Sequence, residues 1–337
     1  MTLVENANQE EPAPSPATRP GVECLEGVVR RLHRKTCLVE TPRGTFQCLI
    51  RGRLLKGYLR PGGPRAAPES PERLAPIAVG DRVKVCLLPD GTAVVEEVYP
   101  RERAYVRVTA GPRPTVLAGV DQLIIVFAAH EPEPVLPMLD RFLVIAEAEG
   151  LEPIICINKI DLGWEHLKRA LECYRRAGYT VVLTSARTGE GLEELRRLLW
   201  GKVSAFVGPS GVGKTSLLNA LKPGLGLRVR EVSRATGRGR HTTTVIQLFP
   251  LDGPEAGAIA DMPGLRTLSL AGIAPEDLDQ YFREFRPYLG RCAFSDCTHR
   301  LEPGCAVRAA VERGAICRER YEAYLRLWAA LAGESAG

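Results

Sequence analysis

The sequence predicts a multidomain protein. Its centre is an α/β domain with a mostly parallel sheet and a phosphate-binding loop; a small all-β barrel precedes it and a small helical, metal-binding module follows. Three observations carry this expectation. From Val120 onward, apolar β-rich runs alternate with amphipathic helical stretches, a pattern that calls for a parallel sheet covered by helices on both faces. The run GPSGVGKTS, Gly208 to Ser216, sits between an apolar segment and a helical spacing of leucines. Cys292, Cys297, His299 and Cys305 fall in the spacing C-x₄-C-x-H-x₅-C. The expected division is a disordered tail over 1–21, a barrel over 22–100, the α/β domain over 101–270 and the metal module over 271–337.

A chain of 337 residues has room for two or three domains. Its 45% hydrophobic and 25% charged content is that of ordinary globular proteins. The net charge of +5 is mild, so partners have to be read from where the charges lie. The start, MTLVENANQEEPAPSPATRPG, is acidic and Pro-rich without an apolar centre, unlike a signal peptide. No apolar run approaches the roughly 20 residues a bilayer requires, so no membrane partner is expected. Six of the ten cysteines, Cys24, Cys37, Cys48, Cys86, Cys156 and Cys173, show no framework spacing. Free thiols in a reducing cytoplasm are the expectation.

Taken in order, VECLEGVVRRL, TCLVETPRGTFQCLIRG and VGDRVKVCLLPDGTAVVEEV read as short strands with PRG and PDG turns. Several such strands in about 80 residues imply a small antiparallel barrel, of which the oligonucleotide-binding type is one common form. Between Leu54 and Pro76 the chain is too rich in Pro and Gly for an interior strand or helix, and it reads as a long loop. An RNA-binding barrel and an inert one both fit this stretch. Arg30, Arg31, Arg34, Lys35, Arg51, Arg53 and Lys56 tilt the choice toward RNA.

The α/β pattern then runs strand 120–129, helix 135–150, strand 153–158, a helix near 164–177, strand 179–184, helix 190–200 and the strand before the phosphate loop. In that loop Gly208, Pro209, Ser210, Gly211, Val212, Gly213, Lys214, Thr215 and Ser216 fit Gly, four residues, Gly-Lys and Ser or Thr. Backbone N–H groups and a helix N-terminus face the phosphates, Lys214 adds a point charge, and the Thr215 hydroxyl is a Mg²⁺ ligand. NKID follows a strand. A carboxylate at Asp161 accepts two hydrogen bonds from guanine, whereas adenine would leave it unpaired at a cost of about 1–3 kcal/mol. Asn158 holds the N7 edge, the Lys159 stem covers the base, and in Thr184-Ser185-Ala186 a backbone N–H meets guanine O6. In DMPG, Asp261 holds a water of the Mg²⁺ shell and the Gly264 N–H approaches the γ-phosphate. Thr243, in the arginine-rich run before it, completes the metal shell.

In most GTPases the phosphate loop precedes NKxD; here NKID and TSA come first, the order of a circularly permuted chain. Leu265 stands where Ras-like enzymes place a water-orienting Gln, so intrinsic hydrolysis should be slow. His241 either aligns that water or is an exposed, RNA-contacting residue. The Cys/His cluster has the donors of a closed, structural Zn²⁺ site; Cys317 lies outside its spacing. Two rival classes, an RNA-binding assembly adaptor with a structural nucleotide and an ATPase with a zinc module, share parts of this pattern.

The run LAGVDQLIIVFAAHEPEPVLPMLDRFLVIAEAEGLEPIICINKIDL, together with GPSGVGKTSLLNAL, GRGRHTTT, DMPGLR and the cysteine cluster, resembles the ribosome small-subunit-dependent GTPase A family (RsgA/YjeQ). The likeness covers nearly everything from Val22 to the C-terminal helix. It implies an N-terminal OB-fold, a circularly permuted GTPase domain and a zinc domain. It further implies a cytoplasmic monomer that acts in late maturation of the bacterial 30S subunit and contacts 16S rRNA. Hydrolysis of GTP to GDP and phosphate would be stimulated by that subunit. Thr215 where Ser is common, Pro209, and the long barrel insertion depart from the family pattern.

Overall fold

The computed structural model describes residues 22–33, 35–55, 77–101, 106–108, 115–227, 246–253, 256–261, 270 and 272–333. The expected tail over 1–21, most of the barrel insertion, the arginine- and threonine-rich run with His241 and Thr243, and Gly264 of DMPG lie outside those residues.

Five strands close the barrel: β1 (Glu23–Leu32), β2 (Thr36–Thr41), β3 (Gly44–Ile50), β4 (Arg82–Leu87) and β5 (Ala93–Val98). A four-residue helix, α1 (Gly52–Leu55), follows β3. β1 pairs with β2 and β4, β2 with β3, β3 with β5 and β5 with β4, and the β3–β5 contact alone among these is parallel. That circuit is the OB-fold. Closure is possible because β1 serves two neighbours, β4 along Glu23–Val28 and β2 along Val28–Leu32. At the corner sits Gly27, where a Cβ would meet the Glu40 carbonyl oxygen at 2.6 Å. Alternate residues point inward, and Val29, Val39, Cys48, Val83, Val85 and Val95 form a barrel core shut off from solvent.

The expectation of free thiols fails at three of the six cysteines, Cys24, Cys86 and Cys173, and the unassigned Cys317 pairs with the last. Cys24 and Cys86 are cross-strand partners of β1 and β4 and form a disulfide; Cys173 and Cys317 form a second. Pairs 62 and 144 residues apart carry no spacing signal, because the fold alone brings them together. Cys37, Cys48 and Cys156 are free and buried, as expected.

A short hairpin, β6 (Val106–Val108) with β7 (Thr115–Leu117), leads into the α/β domain. Its parallel strands are β8 (Gln122–Ala128), β9 (Glu152–Asn158), β10 (Thr180–Leu183), β11 (Val203–Val207) and β13 (Ala258–Asp261), in the spatial order β10-β9-β8-β11-β13. β12 (Gln247–Pro250) adds on antiparallel, and one register pair, Arg31 with Gln247, joins it to the barrel. β8 is buried along its whole length. Leu123, Ile125 and Phe127 face one layer, Ile124, Val126 and Ala128 the other, as a strand sandwiched between helices requires. The first layer carries α2 (Leu136–Ala148) and α3 (Lys168–Arg176); the second carries α4 (Leu192–Leu199) and α5 (Lys214–Leu221). The helix expected over 164–177 is shorter: a 3₁₀ turn, Glu165–Leu167, occupies its start.

The C-terminal segment comprises two 3₁₀ turns, Pro275–Tyr281 and Arg286–Tyr288, then α6 (Ala306–Glu312) and α7 (Arg318–Ala332). Its Leu278, Phe282, Phe285, Val307 and Tyr324 share one continuous core with the α2 side of the sheet. A buried arginine marks the junction. Arg320 on α7 reaches Asp140 of α2 at 2.5 Å and Glu284 at 2.6 Å. Burial pushes the Asp140 carboxyl up, and the Arg320 charge pulls it back.

Candidate nucleotide site and metal centre

The candidate nucleotide site gathers at the carboxyl ends of β9, β10, β11 and β13, where ligands of open α/β sheets bind. β11 ends at Val207, and Gly208 turns the chain so close to β8 that a Cβ there would meet the Val126 carbonyl oxygen at 2.1 Å. α5 opens on Lys214, and its N-cap, Gly213, offers no side-chain cap. The first-turn N–H groups of Lys214, Thr215 and Ser216 are therefore open to an anion. The Lys214 ammonium donates to the carbonyls of Gly208 at 2.7 Å and Pro209 at 2.8 Å, spanning the loop. Burial lowers the Lys214 pKa and raises that of Asp261 at the end of β13, while each charge partly restores the other. An anion above the loop would oppose the Lys214 depression.

The candidate base-reading segment is built from the ends of β9 and β10. Asn158 is 1% exposed. Its Nδ2 donates to the Val212 carbonyl at 2.9 Å and its Oδ1 accepts from the Ala186 N–H at 3.1 Å. One amide thus ties NKID, TSA and the phosphate loop together. Lys159 takes the left-handed backbone conformation, φ 61°, and its ammonium donates to the Glu131 carbonyl. Asp161 accepts from the Ser185 hydroxyl at 2.5 Å and from Arg187 Nε at 2.7 Å. These bonds, that of Ser185 first, hold its carboxyl below the usual range, and each oxygen keeps a second lone pair. Thr184 is buried, with its hydroxyl 3.4 Å from Asn158 Oδ1.

Sequence reasoning assigned TSA a backbone role and missed the side-chain buttress from Ser185. It also missed Arg187, whose position one residue past TSA was the only available cue. The Asn158–Val212 bond bridges 54 residues and had no local signal at all.

The four expected zinc ligands come together, all ligand atoms lying within 4.8 Å of one another. His299 Nδ1 is 3.5 Å from Cys292 Sγ and 3.4 Å from Cys305 Sγ, and those two sulfurs are 4.0 Å apart. A tetrahedral Zn²⁺ with bonds of about 2.0–2.3 Å sets donor separations of roughly 3.5–3.8 Å, so the cluster fits. The outer nitrogen of His299 meets Asp279 at 3.0 Å, which orients Nδ1 toward the sulfurs. The N–H groups of Ala306 and Arg308 donate to the sulfurs of Cys292 and Cys305 at 3.3 and 3.4 Å. Asp279 lies twenty residues before His299, too far for a spacing argument. No described helix is long and apolar enough to cross a membrane.

Known proteins resemble this chain over most of its length. A family model described as RsgA GTPase matches residues 98–271. The chain is 43% identical over 303 residues to the small ribosomal subunit biogenesis GTPase RsgA of Moorella thermoacetica, covering 89% of this chain and 95% of that one. The Gemmatimonas aurantiaca protein of the same name is 49% identical over 265 residues, 77% and 86% of the two chains. The crystal structure of YjeQ from Thermotoga maritima superposes with a TM-score of 0.72 at 37% identity, over 92% of this chain and 99% of that one. That of YloQ, described as a circularly permuted GTPase, gives 0.68 at 29% identity, over 94% and 97%. With a family model matched over half of its length and a relative 43% identical over 89% of it, the chain belongs to the RsgA GTPase family.

Proposed function

We propose that this GTPase binds the 30S ribosomal subunit through its 16S rRNA and hydrolyses GTP to GDP and phosphate during late subunit maturation, faster when the subunit is bound. The relatives' names support the partner. The bond from Asn158 to Val212 carries the nucleotide reading, because it holds the base-reading and phosphate-reading segments in one rigid unit. Asp161, buttressed by Ser185 and Arg187, selects guanine. Asn158, Lys159 and the Thr184–Ala186 turn frame the base, and the loop from Gly208 to Ser216 wraps the phosphates.

Mg²⁺ bound with the nucleotide would neutralise phosphate charge; Thr215 and Thr243 would hold it, and Asp261 would hold a water of its shell. Lys214 leaves its two carbonyl partners to meet the outer phosphates. His241 and Gly264, in the segments on either side of β12 and β13, would attend the attacking water and the γ-phosphate. One structural Zn²⁺ would sit on Cys292, Cys297, His299 and Cys305. The protein works as a monomer in the cytoplasm, where the OB-fold and the zinc module grip the subunit from both flanks of the GTPase core.

Turnover of GTP and ATP, with and without purified 30S subunits, tests the reading. GTP should be hydrolysed slowly alone and at least tenfold faster with subunits, in keeping with a chain that lacks the water-orienting Gln. Equal ATP turnover, or no response to subunits, would overturn it.

A further inference from the structure

A second cluster of metal-binding side chains stands apart from the zinc ligands. His130 follows β8, Glu133 lies three residues on, and His166 belongs to the 3₁₀ turn after NKID. One ligand atom from each lies within 4.8 Å of the others. His130 Nδ1 is 2.5 Å from one Glu133 oxygen, and His166 Nε2 is 3.7 Å from the other. The two imidazole rings stack with centroids 4.4 Å apart and planes 33° from parallel.

Two imidazoles from separate loops converge on one carboxylate. A divalent cation among them takes a lone pair from each of the three donors, an arrangement that a single ion pair does not require. Two imidazole nitrogens and a carboxylate suit Zn²⁺, Ni²⁺ or Co²⁺ better than the oxygen-seeking Mg²⁺ or Ca²⁺. Tetrahedral bonds of about 2.0–2.2 Å need donors roughly 3.4 Å apart. Side chains as open as these, 34%, 69% and 40% exposed, can shift by the difference.

We propose that His130, Glu133 and His166 form a second transition-metal site, open to solvent and adjoining the nucleotide pocket. The chain link to that pocket is short. Glu131, between His130 and Glu133, accepts the Lys159 ammonium on its carbonyl, and His166 is carried by the turn that follows Asp161. A metal drawing the two loops together fixes Lys159 and so changes guanine-nucleotide affinity. This coupling rests on the nucleotide reading of NKID; the metal site does not.

Full-length protein, its cysteine cluster already filled with zinc, is titrated with ZnCl₂ and separately with NiCl₂ in a calorimeter. The wild type should take up one further equivalent, and the His130→Ala/His166→Ala double variant should bind it at least about tenfold more weakly. Glu133→Gln should fall in the same direction. Circular dichroism of these surface variants should match wild type. Absence of a further equivalent, or equal affinity in wild type and variants, overturns the site. Fluorescent-GDP binding should shift at least twofold with metal in the wild type and not in the double variant. Unchanged affinity in the wild type overturns the coupling, whereas failure to bind GDP at all counts instead against the guanine reading.

Discussion

Asp161 is the carboxylate on which the proposed guanine specificity rests. Ser185 and Arg187 keep it ionised and aimed while leaving lone pairs for a ligand. Removing its acceptor capacity should cost what an unmade buried hydrogen bond costs, about 1–3 kcal/mol, or roughly a 5- to 150-fold loss of affinity. Asp161→Asn is therefore expected to raise the Kd for fluorescent GDP by that range while leaving thermal unfolding nearly unchanged. An affinity within twofold of wild type would remove Asp161 from base recognition.

At the scale of elements, the phosphate loop and the NKID turn are close enough to constrain each other's composition. Gly213 caps α5 in the left-handed conformation, φ 89°, and a Cβ there would come within 2.4 Å of Asn158 Nδ2. Asn158 is pinned in turn by Val212 and Ala186, so it cannot retreat without breaking the link between the two segments. Gly213→Ala pays left-handed strain of about 1–2 kcal/mol and displaces that amide. Nucleotide affinity should fall at least tenfold, a larger change than the stability loss accounts for. Titration with fluorescent GDP beside a urea melt separates the two, and a loss confined to stability would count against the coupling of these turns.

Over the whole molecule, the C-terminal segment is held to the GTPase core by a shared apolar layer, by ion pairs of Arg320, Arg283 and Arg286, and by the Cys173–Cys317 disulfide. Arg320 is 2% exposed, and Arg320→Ala would leave Glu284 buried without its cation and Asp140 with only Arg326 at 3.9 Å and the Tyr174 hydroxyl. Such a break costs about 3–5 kcal/mol, which a denaturant titration would show as a lower midpoint; a loss under about 1 kcal/mol would mean that Arg320 does not anchor the interface. The disulfide crosses 144 residues of chain. On the chain-entropy account it restrains the unfolded state by up to about 5 kcal/mol. Cys173→Ser should therefore melt below wild type without reductant, and adding dithiothreitol should lower the wild-type midpoint more than that of the variant. Equal responses to reductant would show that this bridge does not contribute.

The local chemistry was legible in sequence because each motif is a short run whose spacing is set by one strand end or one helix start. NKID, TSA, the phosphate loop and the four candidate zinc ligands all satisfy that condition, and the order of the first three also pointed to the permutation. The strand and helix periods likewise told where the parallel sheet lies, since burial on both faces of β8 and β9 demands unbroken apolar runs. What tertiary structure alone decided are the meetings between distant segments: the closing of the barrel by β1 on β4, the two disulfides, Arg320 between Asp140 and Glu284, Asp279 behind His299, and the approach of His166 to His130. Each joins residues that follow different local periods, and a pairing of that kind is fixed by packing in three dimensions, which no window of sequence contains.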